Sequence, residues 1–104
     1  MAKALNICDY MKERSNNDIL VDLREQSLYK FGSLPGAVNI PMDSLKELYS
    51  LPSTKRIYLF CQSGEFSEQI AELLCSDGYD AYNLAGGYRE YLRNQLNLEN
   101  NDSR

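Results

Sequence analysis

The chain of 104 residues has no histidine and no tryptophan. Without histidine it cannot build a Cys-His dyad, a Ser-His-Asp triad or a histidine-ligated metal centre from its own residues. Its cysteines number three, an odd count that does not close a disulfide scaffold. Cys8, Cys61 and Cys75 have no CxxC spacing, so no structural zinc site is expected, and free thiols fit a reducing compartment. Basic charge is also short, with eleven Lys and Arg against fifteen Asp and Glu, a net charge of −4. That balance argues against nucleic acid or an anionic membrane surface as the main partner, since both call for a basic face. No apolar run approaches the ~20 residues of a membrane span. The opening MAKALNICDYMKERSNND lacks an uninterrupted apolar core of signal-peptide length. The expectation is a soluble, cytoplasmic protein that acts as a monomer.

The residues that are present make one domain's worth of ordinary globular sequence, 43% hydrophobic and 25% charged. Residues 1–96 read as the domain, and residues 97–104 (NLENNDSR) as a polar, disordered tail. Asp18 to Leu23 and Arg56 to Phe60 are short aliphatic or aromatic runs without helical spacing, which predicts strands buried on both faces. Ala37 to Ile40 and Ala81 to Leu84 are shorter strands framed by Pro and Gly. Helices are predicted at Cys8 to Arg14, capped by Asn6, at Ser27 to Phe31, and at Ser44 to Tyr49, capped by Asp43. Two more are expected, at Phe66 to Ser76, with an apolar stripe of Ile70, Leu73 and Leu74, and from Tyr88 to about Gln95. Such alternation predicts an α/β domain with a mostly parallel sheet and helices on both faces. Functional groups then gather at the carboxyl ends of the strands.

One segment meets that rule and carries a reactive atom. In LFCQSGEFSEQIAELL, residues 59–74, a hydrophobic strand ends at Cys61. A small turn, Gln62-Ser63-Gly64-Glu65, comes next, and a helix opens near Phe66 or Ser67. Gly64 permits the positive φ that a concave loop of inward amides needs. Cys61 would then face a nest of N–H groups at the positive end of a helix dipole, and both favour thiolate over thiol. An anionic sulfur so held suits nucleophilic or sulfur-carrying work without a neighbouring base. The competing reading is plain packing, because free cysteine is among the most buried residue types.

The flanking sequence widens the pattern. Val21-Asp22-Leu23-Arg24 and Gly32-Ser33-Leu34-Pro35-Gly36-Ala37-Val38-Asn39-Ile40-Pro41 resemble the DVR…GHIPGAINIP signature of the rhodanese-like family. Cys61, Gly64 and Ser67 fall where that family places CxxGxRS, while Gly78-Tyr79 and Leu84-Ala85-Gly86-Gly87-Tyr88 are similar to its GY…LxGG ending. The resemblance spans Asp18 to Leu92. It implies a small α/β domain with a parallel sheet and transfer of sulfane sulfur through a persulfide on Cys61, from a small sulfur donor to a thiol or protein acceptor. It calls for no metal and no organic cofactor. Gln62, Ser63, Gly64, Glu65, Phe66 and Ser67 are the implied substrate-binding loop.

Departures from the pattern concern charge. The family often has arginine one and five residues after the cysteine, where this chain has Gln62 and Phe66, with Glu65 between them. An arginine there would grip an anion bidentately, so thiosulfate is expected to be a poor donor and neutral or protein-bound persulfides better ones. Cysteine phosphatases and arsenate reductases also need an arginine, and none lies between Arg56 and Arg89. A non-catalytic rhodanese-like interaction domain remains the alternative. Ser33, where the family has histidine, is expected to matter to packing alone. Asp22 and Arg24 read either as an acid–base pair or as structural support for the loops. Cys75, roughly 13 Å along its helix from the loop, is too distant to resolve a Cys61 persulfide. Cys8 is not placed by the sequence. Tyr88 and Tyr91 are expected at the pocket rim, and Phe66 on an exposed docking surface.

Overall fold

A computed structural model describes the backbone of residues 3–102 and the side chains of residues 3–97. The aliphatic and aromatic runs form the middle of one parallel sheet. Its strands are β1 (Lys3–Asn6), β2 (Ile19–Asp22), β3 (Val38–Asn39), β4 (Arg56–Phe60) and β5 (Asp80–Ala85), in the order β1-β5-β4-β2-β3. Helices α1 (Ile7–Glu13), α2 (Gln26–Phe31), α3 (Glu65–Ser76) and α4 (Gly87–Asp102), with a 3₁₀ segment (Met42–Ser50), make the connections. A parallel neighbour can be reached only by such a crossover, which is why strand and helix alternate along the chain.

The sheet is packed on both faces, as the unbroken hydrophobicity of β2 and β4 predicts. Val21, Ile57, Leu59 and Ala81 meet Ile70, Ala71 and Leu74 of α3 and Leu48 of the 3₁₀ segment. On the opposite face Leu20, Tyr58, Phe60 and Leu84 meet Ile7 and Tyr10 of α1, with Tyr88 and Tyr91 of α4 packed alongside. The α1 cap is the expected one. Asn6 Oδ1 accepts from the amides of Cys8 (2.8 Å) and Asp9 (3.4 Å), an arrangement worth about 1 kcal/mol. At the far end of α3, Gly78 N–H donates to Cys75 O (3.1 Å) and Tyr79 N–H to Leu74 O (3.0 Å). This pair of bonds satisfies carbonyls that a bare helix end leaves orphaned and turns the chain into β5.

The structure corrects four expectations. β1 has no counterpart among the predicted strands; it is an edge strand whose pairing with β5 runs from Lys3↔Tyr82 to Asn6↔Ala85, and its residues are mostly exposed. The segment after Pro41 is 3₁₀ rather than α-helical, with Ser44 off helical geometry and no side-chain cap from Asp43. Pro41 stands at its N-cap and Ser44 N–H bonds to Pro41 O at 2.9 Å, so the first turn closes tightly. On α3 the buried stripe is Ser67, Ile70, Ala71 and Leu74, spaced i, i+3, i+4, i+7, while Leu73 is half exposed. The stripe has turned toward Ser67 because that serine has hydrogen-bond partners beneath the helix, in Cys61 and Asn83. Finally, α4 runs to Asp102 instead of ending near Gln95. It takes in most of the segment expected to be disordered, whose residues 103 and 104 lie outside those described.

Candidate active site

Alternation along β4 sends Ile57 and Leu59 toward α3, and Tyr58 and Phe60 the other way. Cys61 is the next odd position, so it emerges at the carboxyl end of the central strand on the α3 side. The chain then reverses through Gly64 (φ +95°), the N-cap of α3. Glycine brings no cap side chain, which leaves the first-turn amides of α3 in need of an acceptor. The Cys61 sulfur takes that place. Its Sγ accepts from Gly64 N–H at 3.1 Å and from Ser67 N–H at 3.4 Å, and contacts Ser67 Oγ at 3.4 Å.

Those contacts decide the ionisation. Burial pushes the Cys61 thiol upward, since the residue is 6% exposed. Hydrogen bonding from the Ser67 hydroxyl and amide, the Gly64 amide and the Ser63 amide outweighs it, and the pKa falls below the ordinary thiol value. Cys8 shifts the opposite way, raised by burial and then by Glu90 and Asp9. Alkylation by iodoacetamide requires the thiolate, so a lowered pKa moves the onset of reaction to lower pH. The Cys61 rate is expected to rise through a midpoint below the ~8.5 of free cysteine, while the Cys8 midpoint lies above it. A Cys61 midpoint at or above that of Cys8 would refute the amide cradle.

The loop is held from behind by the start of α4. Tyr88 N–H donates to Cys61 O at 2.9 Å and Arg89 N–H to Gln62 O at 3.1 Å. These two bonds tie the loop to α4 while the amides of Gly64 and Ser67 face the sulfur. A cavity of about 320 Å³ opens over Cys61, lined by Leu23, Leu28, Met42, Gln62, Ser63 and Phe66 together with Arg24 and Glu25. A larger groove of about 830 Å³ lies between α2 and the 3₁₀ segment and shares Glu25 and Met42, but Cys61 is not in its wall. Cys61 thus opens onto the smaller space.

The structure divides the loop residues expected to bind substrate. Gln62, Ser63 and Phe66 line the cavity, whereas Gly64 and Ser67 face the sulfur. Glu65 is exposed and does neither, its amide bonding to Ser63 Oγ at 3.4 Å. Phe66 is half-buried against the α3-side core rather than standing exposed. Tyr88 and Tyr91 are not at the rim; Tyr88 stacks on Phe60, and Tyr91 stacks on Tyr88 over the opposite face of the sheet.

Asp22 and Arg24 form a buried fork. Arg24 Nε and Nη2 donate to the Asp22 carboxylate at 3.0 and 2.8 Å, Ser33 Oγ donates to it at 2.7 Å, and Arg24 Nη2 donates to Gly32 O at 2.6 Å. Asp22 pairs with Phe60 in the register and shares its face, away from the sulfur. The Arg24 side chain is 4% exposed and committed to Asp22, so among the described residues the cavity walls offer no free guanidinium. Ser33 thus does more than fill space, since it completes the shell around the Asp22 carboxylate. Cys75 Sγ lies at the other end of α3, donating to Ala81 O at 3.3 Å.

One site residue escapes the sequence reading. Asn83, 2% exposed on β5, stands beside Leu59 in the register and accepts the Ser67 hydroxyl at 2.5 Å. Its Nδ2 donates to Gly64 O at 3.2 Å. A signal for it exists: alternation puts Asn83 on the inner face with Ala81, a polar side chain among apolar ones that must find partners.

Comparison with known proteins agrees with this geometry. The family profile described as Rhodanese-like domain matches residues 8–94. The thiosulfate:glutathione sulfurtransferase of Homo sapiens is 35% identical over 92 residues, covering 73% of this chain and 80% of that protein. The tRNA sulfurtransferase of Desulfurococcus amylolyticus is 35% identical over 75 residues, 72% of this chain but 15% of its own length. The solved structure of a rhodanese-related protein from Thermoplasma volcanium superimposes with a TM-score of 0.80 at 25% identity, covering 88% of this chain and 92% of that one. A parallel sheet in this strand order, a cysteine at the end of its central strand and the profile match lead to one conclusion: the chain belongs to the rhodanese-like domain family.

Proposed function

We propose that this domain transfers sulfane sulfur through a persulfide on Cys61. The observation that carries the reading is the Cys61 sulfur itself, seated as the cap of α3 under the amides of Gly64 and Ser67. Relatives named as sulfurtransferases support it. In the first half-reaction the Cys61 thiolate attacks the outer sulfur of a donor R–S–SH, giving Cys61–S–SH and releasing R–S⁻. In the second, an acceptor thiolate takes the outer sulfur and Cys61 leaves as thiolate. Each step exchanges one S–S bond for another and is redox-neutral. The loop amides stabilise negative sulfur at both ends of the cycle, as oxyanion-hole donors stabilise oxygen.

The cavity walls favour some donors. Apolar Leu23, Leu28, Met42 and Phe66 surround the opening, Glu25 adds a negative charge, and the one arginine is tied to Asp22. A dianion such as thiosulfate finds no cation there to replace its hydration, whereas an alkyl or protein persulfide buries its carbon against the walls. We therefore assign a low-molecular-weight or protein persulfide as donor and a thiol or protein as acceptor. The match to the tRNA sulfurtransferase covers 15% of that protein, and with a net charge of −4 we do not assign RNA binding to this domain.

Intact mass after exposure to a persulfide donor tests the reading. A gain of about 32 Da, one sulfur atom, is expected on the wild type and absent from Cys61→Ser. Loading of Cys8 or Cys75 with Cys61 unmodified would overturn it. The same wall, without a free cation, also fits a non-catalytic interaction domain, and failure to load any cysteine from several donors would favour that second reading.

A further inference from the structure

Ser67 sits between two groups that both want its single hydroxyl proton. The residue is fully buried, so its hydroxyl is out of reach of bulk solvent. On one side Oγ is 2.5 Å from Asn83 Oδ1, and on the other 3.4 Å from Cys61 Sγ. The Asn83 amide has a determined orientation, because its Nδ2 donates to Gly64 O at 3.2 Å. The flipped amide would set Oδ1 against that carbonyl, acceptor against acceptor. Oδ1, which can only accept, therefore faces Ser67.

A hydroxyl donates once. While Cys61 is a thiol, the chain of bonds is complete, with S–H donating to Ser67 Oγ and Ser67 O–H to Asn83 Oδ1. When Cys61 becomes a thiolate, the sulfur needs donors, and the hydroxyl satisfies it only by turning away from Asn83, which leaves a buried oxygen unpaired. We propose that Asn83 is a positioning residue that competes with Cys61 for the Ser67 proton, holding back formation of the thiolate and releasing the hydroxyl only when negative charge is on Sγ. Once an outer sulfur is attached, charge moves outward and the hydroxyl returns to Asn83. The hydroxyl donor is then present when Cys61 attacks and when it leaves, and withdrawn in the resting persulfide.

No charged side chain among the described residues makes the contact instead. Arg24 and Glu25 on the cavity wall, Glu65 and Glu68 in the first turn of α3, and Arg89 and Glu90 in the first turn of α4 are charged groups around the loop, and none hydrogen-bonds to Sγ. The inference rests on Cys61 being the sulfur that ionises, and its readout is alkylation, so it can fail or hold independently of sulfur transfer.

The test is the pH profile of Cys61 alkylation by iodoacetamide in wild type, Asn83→Leu, Ser67→Ala and the double variant. Asn83→Leu frees the hydroxyl for the sulfur, so the profile is expected to move to lower pH, with the rate at neutral pH about fivefold higher. Ser67→Ala is expected to move it the other way. In the Ser67→Ala background the Asn83 substitution is expected to have no effect, because Asn83 acts through the hydroxyl. A merely structural Asn83, acting by loosening Gly64, would shift the profile in both backgrounds, and that result overturns the proposal. So does an Asn83→Leu profile that is unchanged or moves upward. If Asn83→Leu does not fold, NMR of the Asn83 side-chain amide decides. Its resonances are expected to titrate with the Cys61 midpoint in the wild type and to lose most of that response in Ser67→Ala; an equal response in both refutes the competition.

Discussion

Replacing Gly87 with alanine is expected to destabilise the domain by about 2–4 kcal/mol and to disarm Cys61 in the same step. Gly87 has φ +66°, where a side chain brings an intrinsic cost. Steric overlap costs more. A Cβ at this position would lie 2.6 Å from Gln62 O and 2.7 Å from Cys61 O, and both are backbone atoms that cannot rotate aside. These are the carbonyls gripped by the amides of Arg89 and Tyr88. Relief requires the loop to move off α4, which breaks both bonds and turns the amides of Gly64 and Ser67 away from the sulfur. Thermal unfolding is expected to fall by about 10–20 °C, with the Cys61 alkylation midpoint rising toward that of free cysteine. Gly78→Ala is the control. Gly78 also has positive φ (+94°) but open space around it, so it should lose stability without any change at Cys61. A Gly87→Ala protein that melts within a few degrees of wild type and keeps its Cys61 profile would refute the clamp.

The coupling of loop, α3 and α4 also explains which features the chain announces in advance. β4 and the turn after it are readable because each residue obeys a local rule: an unbroken aliphatic and aromatic run from Ile57 to Phe60, then Cys61, then a glycine where φ must be positive. Those rules alone put Cys61 at the strand end. Features set by pairing across the fold are not visible locally. Asn83 shows locally as a polar residue at an inward position of β5, but its partners are set by the register that brings it next to Leu59. Tyr88 reads as a rim residue from its place after Gly86-Gly87, yet sheet alternation delivers Phe60, and with it Tyr88, to the other face. β1 escapes for a different reason. At an edge, with one ladder and mostly exposed side chains, Lys3–Asn6 carries almost no hydrophobic pattern to read. The swap of Leu73 for Ala71 in the buried stripe of α3 has the same origin as Asn83: the helix is rotated to bring Ser67 over the sheet, and apolar spacing alone does not know about a polar anchor.

Removing the Arg24 guanidinium is expected to cost about 3–5 kcal/mol, the usual result of leaving one half of a buried ion pair behind. In Arg24→Met the Asp22 carboxylate, itself 0% exposed, keeps the Ser33 hydroxyl and the amide of residue 24 but loses every charged donor. Gly32 O loses its 2.6 Å partner, and the ring of Tyr88 loses the guanidinium stacked 4.1 Å from its centre. Arg24→Lys should recover little, because an ammonium cannot span two carboxylate oxygens, a carbonyl and an aromatic face at once. Asp22→Asn combined with Arg24→Met should be less harmful than the sum of the single changes, since no uncompensated charge stays buried. Urea unfolding of these variants and the wild type measures the losses, and one below about 1 kcal/mol for Arg24→Met would contradict a buried, coupled pair. The same variants separate bracing from chemistry. Arg24 borders the cavity, but its guanidinium lies over the rings of Phe60 and Tyr88 beside Asp22 and makes no hydrogen bond to Sγ, so under native conditions the pH midpoint of Cys61 alkylation should stay where it is in the wild type. A midpoint that moves with Arg24→Met would make this pair part of the sulfur's electrostatics, and the acid–base reading of Asp22 and Arg24 would then displace the structural one.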